Sequence, residues 1–294
     1  MTDIPQIFDT RLLKERRVRA YRKFGRQGDF LLTMSIEDLL DRLAITLRPF
    51  PKCVELGGHS GILAQALSKR EGTESVMRLE QDPVFFQPED AGLVMESEEL
   101  PLEAESINLL VSPLYLHWIN DLPGLLHQIR QSLAPDGLLL ASLLGRESLR
   151  ELRQAFLMAE SELKSGSSPH VSPFPDVRDM GTLLQRAGFA LPVVDHDLIT
   201  VRYDTMFDLM RDLRFMGATN VLHERSRTPL RKDILYRAAE IYRDTFSEPD
   251  GRLVATFQIL YLSGWSPHES QQKPLAPGSA QQSLATALGD KSAE

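Results

Sequence analysis

The chain has a single cysteine, Cys53, in 294 residues. That excludes a disulfide framework and any zinc or iron–sulfur site built on thiolates, and it fits a reducing compartment. Long apolar runs are also missing. A stretch such as Leu109 to Ile119 falls well short of the roughly 20 residues a spanning helix needs, so no transmembrane segment is expected. Positive charge is in deficit, with 33 Lys and Arg against 41 Asp and Glu for a net −8, which argues against general nucleic-acid binding. The N-terminus shows no secretory signal, because Thr2 to Thr10 carries two Asp and no apolar core. It is also a poor transit peptide, since no arginine occurs before Arg11. A bacterial cytoplasmic protein is the expectation, or a chain whose presequence is absent.

The cations present are concentrated at one place. Arg11, Lys14, Arg16, Arg17, Arg19, Arg22, Lys23 and Arg26 are opposed only by Glu15, and Leu12, Leu13, Val18 and Tyr21 interleave at helical spacing. This reads as an amphipathic helix with a solvated basic face. The alternative is a docking helix for an acidic partner, or a peripheral contact with an anionic membrane at the inner face of the inner membrane.

Apolar runs and helical patterns then alternate. Cys53 to Leu56, Val76 to Leu79, Ile107 to Ser112 and Gly137 to Leu144 read as strands, and Ile62 to Lys69 and Leu122 to Leu133 as helices. Continuously apolar strands separated by helices predict an α/β fold with a mostly parallel sheet covered on both faces. Further on, Arg146 to Leu163, Met180 to Ala187, Met206 to Met216 and Arg231 to Phe246 read as helices, and Leu191 to Tyr203 and Val254 to Trp265 as strands. The expected organisation is a basic helical segment over 1–35, a main domain over 36–265 with cap helices at about 204–250, and a polar, flexible or surface-draped tail over 266–294.

The turn Glu55-Leu56-Gly57-Gly58-His59-Ser60-Gly61 joins a strand to a helix. Glycines there let the backbone turn tightly and approach a ligand. A dinucleotide fingerprint needs glycine where His59 stands. The E/D-x-G-x-G-x-G turn of class I S-adenosylmethionine (SAM)-dependent methyltransferases matches at Glu55, Gly57 and Gly61 and fails at the same place. Glu80 ends the next strand, 23 residues after Gly57, where a nucleoside-binding fold places a ribose acceptor, for NAD or SAM alike. Glu96, four residues before Leu100-Pro101, then Ser112 and the helix ending at Pro135-Asp136-Gly137, form an ordered series. That series resembles class I methyltransferases more than any dehydrogenase, with Glu96 in the place of the acid that accepts from the adenine amino group.

Four further blocks resemble the mitochondrial complex I assembly factor 5 family and its bacterial relatives: Leu116 to Pro123, Ser168 to Phe174, Asp212 to Asn220, and Gly264-Trp265 through His268 to Gln271 and on to Ala280. The first is shared with the biotin-pathway methyltransferase that esterifies a malonyl thioester. The similarity runs from about Ile7 to Ala280. It implies a methyltransferase-like Rossmann fold with SAM as cofactor, bound by Glu55, Gly57, Gly58, His59, Gly61, Glu80, Glu96 and Ser112. It also implies modification of an arginine on the iron–sulfur subunit of complex I, by hydroxylation rather than methylation. His59 would either crowd the methionine part of SAM or donate a hydrogen bond to its carboxylate. The alternatives are O-methylation of a small carboxylate or acyl thioester, and a non-catalytic SAM-binding assembly chaperone.

The candidate catalytic residues are Tyr115, His117 and His170. His117 is a possible base, or a buried histidine bonded to backbone. His170 lies in a loop of turn formers that is either a binding segment or a stiff connection. His268 with Glu269 would contact a partner or cap the last strand. None of the seven histidines has Asp or Glu two residues later, so no non-haem iron set is visible and no metal site is expected.

Overall fold

The computed structural model describes residues 6–25, 29–95, 98–164 and 166–272. Two helices come first, α1 (Thr10–Phe24) and α2 (Phe30–Ala44), followed by β1 (Lys52–Leu56), α3 (Ile62–Leu67), β2 (Ser75–Glu80), β3 (Ala91–Val94) and β4 (Ile107–Ser112). Then come α4 (Leu122–Ser132), β5 (Leu133–Leu144), α5 (Arg150–Leu163), α6 (Val177–Arg186), β6 (Ala190–Tyr203), α7 (Met206–Phe215), α8 (Lys232–Phe246) and β7 (Leu253–Trp265). The helix starts have chemical causes. Asp9, Asp29 and Asp121 each accept a backbone N–H of the first turn of α1, α2 and α4, and reciprocal caps open α6 (Asp176 with Asp179) and α7 (Thr205 with Asp208).

The seven strands form one sheet in the order β3-β2-β1-β4-β5-β7-β6. β1 to β5 run parallel, and β7 is antiparallel to both β5 and β6. This is the class I methyltransferase-like, Rossmann-like arrangement the sequence predicts. Strand alternation divides the core between two faces. Cys53, Leu109, Val111, Leu138, Leu140 and Ile259 pack on one side with α2, α5 and α8. Val54, Leu110, Leu139, Ala141, Leu260 and Leu262 pack on the other with α4 and α6. The C-terminal ends of β1, β2, β4 and β5 open on a single edge of the sheet. β6 ends and β7 begins at that same edge, since Tyr203 pairs with Leu253, so α7 and α8 leave the sheet there.

Some boundaries differ from the sequence expectation. β5 starts at Leu133, four residues before Gly137, because Leu133 pairs with Ile107 and the Pro135-Asp136-Gly137 turn is absorbed as an irregularity with Asp136 at φ 64°. α5 starts at Arg150 rather than Arg146, because Leu149 sits at φ 55°. Just past β7, Ser266 N–H donates to Gly137 O and the Gln271 side chain reaches Asp136. Residues 273–294 of the expected tail, Arg26 of the basic segment and Glu96 lie outside the described residues. Among the described residues no helix is long and apolar enough to cross a membrane.

Candidate active site

The site is built on the turn after β1. Gly57 has φ 73°, and a Cβ there would lie 2.2 Å from Cγ of Tyr115. At Gly58 a Cβ would lie 2.1 Å from Oε1 of Glu55. Both glycines are therefore required by close approach, and Gly57 also by its left-handed backbone.

Beneath the turn is a buried ionic cluster. Arg78 of β2 is 1% exposed and donates to Glu55 Oε2 (2.8 Å), Glu80 Oε1 (2.9 Å), Asp90 Oδ2 (2.5 Å) and Phe85 O (2.8 Å). Burial raises the Glu55 pKa to about 8 and that of Glu80 to about 7, outweighing the attraction of Arg78. Oε2 of Glu55 takes the Arg78 bond, and its Oε1 has no hydrogen-bond partner. Tyr115 Oη and the Gln81 amide oxygen lie close together, buried, and neither completes a well-formed hydrogen bond. Burial raises the Tyr115 pKa. Three buried polar atoms at the ends of β1 and β2 and after β4 thus have unused capacity, a condition that suits a polar ligand.

α1 lies across this edge. Lys14 reaches Asp82 (3.5 Å), Arg17 donates to Gly57 O (3.0 Å) and to His59 Nδ1 (2.8 Å), and Tyr21 packs edge-on to Phe85. Arg17 always carries its proton, so Nδ1 of His59 accepts and the ring proton is on Nε2. Burial and then the charges of Arg17 and Arg78 push the His59 pKa well below its usual value, which keeps the ring neutral.

His117 is 6% exposed, accepts the Leu144 N–H through Nδ1 (3.4 Å) and packs against Trp118 and Phe174. Burial, with Arg17 nearby, pushes its pKa down to about 3. Ser112 Oγ donates to Leu56 O (3.0 Å), tying the end of β4 to β1. His170 stacks on Phe156 (4.3 Å between centroids) and bonds to Glu160 Oε1 (3.1 Å). The structure brings Glu55, Gly57, Gly58, His59, Gly61, Glu80, Ser112 and Tyr115 together around the turn, with His117 beside them and His170 farther along. His268, by contrast, bonds to Ser270 and lies 3.9 Å from Asp136 at the opposite edge of the sheet.

Three spaces follow one another from the turn outward. A cavity of about 40 Å³ is bounded by Arg17, His59 and His117. It shares Trp118, Leu144 and Ala218 with an apolar cavity of about 160 Å³ walled by Phe156, Phe174 and Leu213. That cavity shares His170, Asn220 and Leu230 with a surface groove of about 390 Å³ rimmed by Arg16, Lys164, Arg225, Arg227 and Arg231. Sequence reasoning missed Arg17 and Gln81. A signal for Arg17 was present, since it shares the buried face of α1 with Leu13 and Ala20 at helical spacing.

Comparison with known proteins identifies the family. A methyltransferase-domain family model matches residues 29–192. A Danio rerio protein named arginine-hydroxylase NDUFAF5, mitochondrial, is 41% identical over 251 residues, covering 83% of this chain and 78% of its own. A malonyl-[acyl-carrier protein] O-methyltransferase of Xylella fastidiosa is 34% identical over 272 residues, 89% of each chain. A Bacillus halodurans structure described as a methyltransferase superposes with a TM-score of 0.55 at 12% identity, over 79% of this chain and all of that one, which speaks to the fold alone. The chain belongs to the class I SAM-dependent methyltransferase superfamily and, within it, to the family of the mitochondrial arginine-hydroxylases.

Proposed function

We propose that this protein binds SAM over the Gly57–Gly61 turn and modifies an arginine on the iron–sulfur subunit of respiratory complex I during assembly of that complex, in the cytoplasm. The observation that carries this reading is the 41% identity to an arginine-hydroxylase across most of both chains. Glu80 would accept the ribose hydroxyls, the turn from Gly57 to Gly61 would hold the methionine part with Glu55 behind it, and Glu96 would meet the adenine. When bound, SAM supplies an electrophilic methyl group on a sulfonium centre. The chain's own residues shape the approach to it: the basic-rimmed groove takes the polypeptide, and the apolar cavity takes one side chain. Trp118, Phe156 and Phe174 offer aromatic faces on which a guanidinium stacks. His117 lines the small cavity beside the apolar one, Tyr115 lies against Gly57, and His170 lies on the wall that the apolar cavity shares with the groove.

A second reading has an observation of its own. The apolar cavity has Arg214 and His170 on its wall and no carboxylate among its lining residues, which favours an anionic or acyl substrate over a cationic one. O-methylation of a carboxylate or acyl thioester is that reading.

The test is the mass of the complex I iron–sulfur subunit purified from cells with and without this gene, mapped by tandem spectrometry. One added oxygen on an arginine supports hydroxylation, and one added methyl supports methyl transfer to the same residue. An unchanged subunit refutes the arginine reading. Turnover of SAM with acyl thioesters in the absence of a partner protein would then establish the second.

A further inference from the structure

Arg17 is a buried cation without an acid. It is 6% exposed, and among the described residues its guanidinium makes no ion pair. Its partners are neutral: Gly57 O, Nδ1 of His59, and the Tyr115 ring 5.4 Å from the guanidinium carbon. Asp29 and Glu80 feel its charge without contacting it. A buried guanidinium is ordinarily matched by a carboxylate or phosphate, because desolvation is otherwise uncompensated. Both of its bonds use Nη2. Nε and Nη1, three N–H groups, donate to no described residue.

We infer that Arg17 receives the α-carboxylate of the cofactor's amino-acid part. This rests on the SAM reading above and names a contact within it. Three observations converge. The guanidinium is held at the first and third residues of the glycine turn. Nε–H and Nη1–H point to different edges of the guanidinium, and either can give a carboxylate oxygen a charge-assisted hydrogen bond while Nη2 stays on the turn. His59, neutral and accepting from Nη2 through Nδ1, fixes the plane of the guanidinium, which gives the histidine a role at the position where the family turn carries glycine. The consequence reaches the substrate cavity. A Cβ at Gly217 would lie 2.9 Å from the Arg17 Cα, and the adjacent Arg16 donates to Thr219 Oγ1 and Asn220 O. A carboxylate on Arg17 therefore holds in place the helix that supports the wall at 217–220.

The test is calorimetry with S-adenosylhomocysteine and with 5′-methylthioadenosine, which lacks the amino-acid part, on the full chain and on Arg17→Gln and Arg17→Lys. Arg17→Gln is expected to weaken S-adenosylhomocysteine by about ten- to a hundredfold, the range for a charge-assisted hydrogen bond. Methylthioadenosine should change by less than about twofold, and Arg17→Lys should fall between the wild type and Arg17→Gln. Unchanged S-adenosylhomocysteine affinity in both variants overturns the assignment while leaving SAM binding intact. Equal losses for both probes also overturn it, by showing that Arg17 only seats α1. A wild-type protein that binds neither probe refutes the SAM reading itself, and the assignment with it.

Discussion

Replacing Arg78 with methionine isolates the cluster beneath the turn. The substitution keeps most of the side-chain volume and removes the cation that meets Glu55, Glu80 and Asp90 at 2.8, 2.9 and 2.5 Å. Removing one partner of a buried pair costs about 3–5 kcal/mol, because the charges left behind are uncompensated. Two of the three carboxylates escape that penalty at low pH. Glu55 and Glu80 have folded pKa values raised to about 8 and about 7, chiefly by burial, so below about pH 6 both are largely protonated in the wild type. Without Arg78 their pKa values rise further. The variant then holds its protons to higher pH than the wild type does, while the unfolded chain releases them in both. Its stability falls faster with pH once the wild-type groups ionise, by up to about 1.4 kcal/mol per pH unit for each proton. Urea unfolding followed by tryptophan fluorescence should show a gap between the two proteins that is steady below pH 6 and widens above pH 7. A gap under about 1 kcal/mol at every pH, or one that narrows as pH rises, would refute this account of the cluster.

Three other perturbations test separate parts of the site. Gly57→Ala combines a left-handed backbone with a Cβ 2.2 Å from Tyr115; it should cost about 2–5 kcal/mol in thermal or urea unfolding and abolish S-adenosylhomocysteine binding. Ala218→Leu fills the junction of the small and apolar cavities; modification of the protein substrate should be lost while S-adenosylhomocysteine affinity stays within about twofold, and equal loss of both would place Ala218 outside the substrate path. Glu160 is 2% exposed; burial raises its pKa, but the Ser168 N–H, His170 and the Ser168 hydroxyl outweigh this and lower it. Its contribution is therefore present above the unfolded carboxylate pKa and lost as pH falls. Glu160→Gln should cost about 1–3 kcal/mol at pH 7, and that cost should shrink progressively in a urea titration as pH falls below 4.5.

The sheet was legible because its central strands are continuous apolar runs, and such runs between helical patterns permit few arrangements. Ile107–Ser112 coincides with its expectation to the residue. Turn chemistry was less reliable where the sheet overrode it: Pro135-Asp136-Gly137 carries every mark of a loop, yet pairing of Leu133 with Ile107 continues the strand through it. The glycine turn and the acid ending β2 could be read from spacing. Their electrostatics could not, since nothing in Val76-Met77-Arg78-Leu79 shows that Arg78 points inward to three carboxylates. Arg17 was hidden for the opposite reason: a run of eight cations looks like a solvated face, and only its phase with Leu13 and Ala20 sets it apart.

Three of the four segments that carry the family resemblance meet in one place, and α1 is what they meet on. Asn120 of the first accepts the Ile7 and Phe8 N–H groups through Oδ1. Asn220 of the third donates to Pro169 O of the second and offers its own carbonyl to Arg16. Trp118, Phe8, Leu13, Val221 and Leu222 close over the junction as a separate apolar cluster. The described part of the fourth segment, up to residue 272, lies at the far edge of the sheet, where Trp265 packs near Phe50 and Gln271 holds Asp136. The first three therefore bound a site, and the fourth secures the sheet that presents it. The basic helix, which in the sequence looks like a free surface for a partner, spends one face on the glycine turn and another on residues 217–220. Of its cations, Arg16 joins Lys164, Arg225, Arg227 and Arg231 around the groove that leads to the apolar cavity.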